Sequence, residues 1–111
     1  MMAKFMVLYR APMTAREQMA ATASPEQAQA GMDAWMAWAG KAGDAILDLG
    51  APLGDAAWVG PGSGDDGLHV TGFSIMQAES ADELTALLDG HPHLGFGGSV
   101  EVLEFLAMPG M

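Results

Sequence analysis

At 111 residues, with 14 acidic side chains set against Lys4, Arg10, Arg16 and Lys41, the chain carries a formal charge of -10. That charge opposes binding to a phosphate backbone, which clusters of Lys and Arg hold, and argues against a nucleic-acid partner. The absence of cysteine excludes disulfides, thiolate metal sites and cysteine nucleophiles together.

The length fits a single domain over 1–111, and a domain this small buries a modest share of its surface, which favours self-association. Met1 to Arg10 carries Lys4 within an alternating pattern and lacks the form of a signal peptide. No stretch approaches the roughly 20 apolar residues needed to span a bilayer. The expectation is a soluble, cytoplasmic protein with no membrane partner.

Lys4-Phe5-Met6-Val7-Leu8-Tyr9-Arg10 is too short for a packed helix and rich in aromatic and β-branched residues, so it predicts a buried first strand. Residues 13–23 form at most a short Ala-rich helical turn and are treated as an insertion. Ser24 as N-cap, Pro25 at the first helical position and Gln27 completing a capping box predict a helix over 25–42. Its apolar positions Ala28, Met32, Trp35, Ala39 and Ala42 recur at three- and four-residue spacing, and Gly43 follows as the cap.

Ile46-Leu47-Asp48-Leu49 predicts a second strand, stopped by Gly50 and Pro52, with Ala56 to Val59 extending it beyond a kink. The glycine-rich loop from Gly60 to Gly67 then turns the chain into a third strand over Leu68 to Gln77. This loop is no phosphate cradle: no Lys-Ser/Thr follows it, and Asp65 and Asp66 repel an anion. Ser80 and Glu83 cap a second helix carrying Leu84, Leu87 and Leu88, which Gly90 closes. Val100 to Leu106 predicts the fourth strand, with Val100, Val102, Glu104 and Leu106 on one face and Glu101, Leu103 and Phe105 on the other.

The order β-α-β-β-α-β is that of an α+β, ferredoxin-like domain with a four-stranded antiparallel sheet. Two helices cover one face of such a sheet, yet strands one, three and four place large apolar side chains on both. The second face therefore predicts a homodimer packed through its sheets.

His91-Pro92-His93-Leu94 holds two of the three histidines, between the end of the second helix and the last strand. They serve as turn residues at a strand entry, or as a general acid or base, or as two ligands of a metal that requires a third such as Asp48, Glu101 or His69. A neighbouring helix C-terminus favours the protonated imidazole. His93 is expected to face a cleft, because Leu94 and Phe96 after it anchor the turn; His91 is the substitute. Asp48 either faces water at a sheet edge or projects into the cleft with a raised pKa. Trp35 and Trp38 lie three residues apart on the helix and belong to the core, or, with Trp58, Met32 and Met36, form the wall of a site for an apolar or aromatic ligand. No motif calls for a cofactor or a metal.

Lys4 to Arg10, the helix with Trp35 and Trp38, Asp44 to Gly54 with Ala51-Pro52-Leu53, and His91-Pro92-His93-Leu94 followed by Ser99-Val100-Glu101-Val102 together resemble the YCII-related family of the dimeric α+β barrel superfamily. The resemblance implies a ferredoxin-like subunit that dimerises through its sheet, with a ligand site in a cleft between the first helix and the sheet. The His and Asp pair that some members carry near helix one is not reproduced, since that helix has no histidine. Asp65-Asp66-Gly67 is a loose echo of the Asp-Gly-Pro-Phe motif of others. The expected function is binding of a small apolar or aromatic molecule with acid/base chemistry by His93, His91 and Asp48; the alternative is a non-catalytic binding or interaction module.

Overall fold

The computed structural model describes residues 2–22, 24–61 and 67–109, the side chain of Phe96 apart. The chain runs β1 (Ala3–Ala11), α1 (Ala15–Ala21), α2 (Pro25–Ala42), β2 (Ile46–Pro52), β3 (His69–Ala78), α3 (Ala81–Leu88) and β4 (Ser99–Glu104). It is an α+β structure whose four antiparallel strands are ordered β2-β3-β1-β4, compatible with a ferredoxin-like fold.

Alternation in the two central strands decides where the core lies. Phe5, Val7 and Tyr9 of β1 point the same way as their ladder partners Met76, Ser74 and Gly72 of β3. Against them pack Trp38 and Ala42 of α2 and Leu84 and Leu88 of α3. The opposite sheet face carries Met6, Leu8, Phe73, Ile75 and Leu103, which the register sets side by side and which retain solvent exposure.

The local signals that define α2 hold: Ser24 accepts the N–H of Gln27, and the helix ends at Ala42. The segment read as an insertion is a helix in its own right. Thr14 accepts the Glu17 N–H at 3.1 Å and the Glu17 carboxylate accepts the Thr14 N–H at 3.0 Å, a complete capping box in front of α1.

The second strand also departs from expectation. Gly50 lies inside β2, which runs on to end at Pro52, and Ala56 to Val59 add no strand to it. Pro52 is tolerated because β2 is an edge strand, where a missing N–H costs no ladder bond on the open side. Gly50 sits at φ +85°, and a Cβ there would overlap the Phe73 carbonyl, so only glycine lets β2 approach β3 at this register shift. Asp65 and Asp66, the echo of the family motif, lie outside the described residues.

Candidate functional site

A second irregularity builds the site. Tyr9 pairs with Gly72 but Arg10 pairs with Val70, so Thr71 is an extra residue on β3. Beside this bulge the Tyr9 carbonyl accepts from the Thr71 hydroxyl at 3.1 Å, and the Arg10 carbonyl accepts from His93 Nε2 at 2.8 Å.

The histidines reach it from a 3₁₀ turn over Pro92–Phe96, which follows α3 directly. Gly90 precedes it, and the His91 N–H closes the helix end by donating to the Leu88 carbonyl at 3.0 Å. Pro92 suits the first position of the turn, and His91 caps it: His91 Nδ1 accepts the His93 main-chain N–H at 3.0 Å.

These bonds assign the neutral tautomers. His93 carries a proton on Nε2, so that in the neutral ring the lone pair is on Nδ1. His91 carries its proton on Nε2, and among the described residues that nitrogen is the one enclosed side-chain N or O atom without a hydrogen-bond partner. Its ring is 2% exposed and enclosed by aromatic faces, with centroids at 4.3 Å to Trp38, 4.4 Å to Trp35 and 4.9 Å to Tyr9.

Burial, helped by the neighbouring His93, pushes the His91 pKa down to about 4. This overturns the expectation that the helix C-terminus favours a protonated ring. Desolvation wins, because a cation among three aromatic rings loses its hydration and no carboxylate replaces it.

Tyr9 continues the same chemistry toward the sheet. Its hydroxyl lies 2.8 Å from Ser74 Oγ, which donates to the Leu49 carbonyl at 2.6 Å, so Tyr9 is the donor of the pair. Burial raises the Tyr9 pKa and the Ser74 hydrogen bond opposes the rise. The phenol is neutral and held.

Next to these groups lies a cleft of about 470 Å³. Its floor is Tyr9 with the β2 and β3 backbones from Leu49 to Pro52 and from Thr71 to Phe73; Met32, Trp35 and Met36 of α2 form one wall, and Met19 and Gln18 of α1 form the other. His93 closes one end. Gly98 packs so closely against the ring that a Cβ there would overlap its Nε2, Cδ2 and Cε1 atoms. His93 lines the cleft, held there by the Arg10 carbonyl and Gly98. Leu94, named beforehand as an anchor, is 38% exposed. Since His93 is itself only 6% exposed, it is no loosely held surface residue.

The remaining candidates divide. Met32 and Trp35 line the cleft, whereas Trp38 is a core residue whose Nε1 donates to the Leu87 carbonyl at 3.3 Å. Trp58, 60% exposed, lies in a different recess beside Arg10, Asp55 and His69. The Asp48 carboxylate is exposed and accepts the Gly50 N–H at 2.8 Å; it does not line the cleft. Glu101, named as a third ligand, pairs with Arg10 at 2.9 Å. Among the described residues no group of three His, Cys, Asp or Glu is placed to hold a metal.

Tyr9, Thr71 and the α1 wall were missed. The inward alternation of Phe5, Val7 and Tyr9 contained a signal for the first; nothing local announces a bulge or the docking of a short helix. No helix among the described residues is long and apolar enough to cross a membrane. No family model matches the chain, and no curated protein matches it significantly.

Proposed function

We propose that the chain binds a small apolar or aromatic molecule in the cleft between α1, α2 and the β2–β3 backbones, with His93 as the acid/base group facing it. One observation carries this: His93 lines a cavity whose walls are mainly apolar, with Nε2 committed to the Arg10 carbonyl and Nδ1 uncommitted. Imidazole is the side chain best suited to move a proton near neutrality, and a ring fixed at one nitrogen presents the other in a constant direction. Methionine and tryptophan walls adapt to flat apolar molecules. The strand order and a cleft between helix and sheet agree with a YCII-like subunit, and we extend the proposal to a homodimer in which a second copy covers Met6, Leu8, Phe73, Ile75 and Leu103.

Gly31 supplies the test. It lines the cleft from α2, and a Cβ there meets nothing within 4 Å, so Gly31→Phe fills the cavity without a backbone clash. Naphthalene titrated into the native chain should give saturable shifts of the Met32 and Met36 methyl resonances, and none in Gly31→Phe. Shifts missing from the native chain, or retained in the blocked variant, would sink the proposal. Gly31→Phe should also be no less stable, since glycine in a helix interior costs about 0.5–1 kcal/mol.

A further inference from the structure

Among the described residues, the side chains lining the cleft include no Asp, Glu, Lys or Arg, in a chain whose net charge is -10. An anion entering it meets no side-chain cation and approaches against the field of the whole molecule.

The donors of the lining are largely committed as well. Tyr9 gives its proton to Ser74, Thr71 to the Tyr9 carbonyl, and Thr22 to the Gln18 carbonyl at 3.2 Å. The Gln18 amide donates to the Met13 carbonyl at 3.1 Å, which leaves one amide hydrogen, on the α1 wall rather than at the sheet. His93 Nε2 donates to the Arg10 carbonyl. Trp35 Nε1 and that Gln18 hydrogen are the side-chain donors left among the described lining residues, both on the helical walls, and His93 Nδ1 is the acceptor left.

Building on the ligand-binding proposal above, we infer that the cleft selects an uncharged hydrogen-bond donor, an O–H or N–H carried on an apolar ring system, and rejects the carboxylate of the same skeleton. A ligand without a donor leaves the imidazole lone pair unsatisfied once water is displaced. A carboxylate loses its hydration, meets no side-chain cation among the described lining residues and finds a lone pair rather than a donor at His93 Nδ1. The polarity of recognition thus follows from which hydrogen bonds the fold has already made, and shape adds the requirement for a flat apolar body.

Three ligands of one skeleton test this on the native chain: 1-naphthol, 1-methoxynaphthalene and 1-naphthoate, with dissociation constants read from the Met32 and Met36 methyl shifts. We expect 1-naphthol to bind at least about fivefold tighter than its methyl ether, the worth of one net hydrogen bond, and about tenfold or more tighter than the carboxylate. The His93 ring resonances should move with the naphthol alone. Equal binding of naphthol and ether overturns the donor selection while leaving an apolar site in place, and tighter binding of naphthoate overturns it outright. Failure of all three, together with failure of naphthalene, removes the ligand site itself.

Discussion

The main-chain N–H of His93 donates to Nδ1 of His91 over 3.0 Å, so the buried ring holds the turn on which the cleft-facing ring is presented. Two residues apart in sequence, they occupy different environments. His91 is walled in by Tyr9, Trp35 and Trp38 with an unpartnered Nε2, whereas His93, also buried, bonds the Arg10 carbonyl and lines the cleft. An enclosed donor without a partner costs about 1–3 kcal/mol, partly offset by contact with the aromatic faces.

Protonating His91 should therefore loosen the fold. The ring binds a proton near pH 6.5 in the unfolded chain but only near pH 4 in the native one, so the unfolded state holds more protons between these values. Stability from this group is complete above about pH 6.5 and is lost as the pH falls toward 4, by about 3 kcal/mol in all. Carboxylates titrate in part of the same window, so the measurement is the difference between the native chain and His91→Asn in urea unfolding at pH 7 and pH 4. The variant keeps an acceptor for the His93 N–H and should lose less stability over that interval. Identical pH dependence in both would show that His91 is not the responsible group.

Gly98→Ala probes the placement of His93 from behind. The added methyl would overlap the ring at Nε2, so the ring must swing off the Arg10 carbonyl or β4 must shift. We expect a cost of about 1–3 kcal/mol, as for an overpacked core, and an altered His93 Nε2 proton resonance. His93→Ala should cost a similar amount, because it strands the Arg10 carbonyl in a partly buried site. An unmoved resonance in Gly98→Ala would mean that glycine does not position the ring.

The open sheet face gives a prediction about mass. With Leu103 46% exposed beside Met6, and Leu8 beside Phe73, the native chain should sediment at twice 11.5 kDa at micromolar concentration. Leu103→Lys should shift it toward the single-chain mass with unfolding stability changed by less than about 1 kcal/mol in the separated subunit, as for an exposed substitution. A native chain that sediments as a monomer rules the dimer out.

Local chemistry settled much of the fold ahead of any tertiary contact. The Ser24 cap and Pro25 start α2 where the pattern required, short apolar runs mark β1, β3 and β4, and Pro92 forces the chain to turn between the two histidines. Each signal acts within a few residues, where caps, rotamer crowding and a fixed proline φ operate. The pairing of strands, the side that α1 docks on and the bulge at Thr71 depend on residues far apart in the chain. That is why Gly50 was read as a stop when its positive φ carries β2 past it to Pro52, and why Asp48, Trp38 and Trp58 were gathered into a site that they do not share. His91 and His93 have the same chemistry and adjacent positions; only burial against Trp35 and Trp38, and the Arg10 carbonyl 83 residues away, decide that one is silent near neutrality and the other faces the cleft.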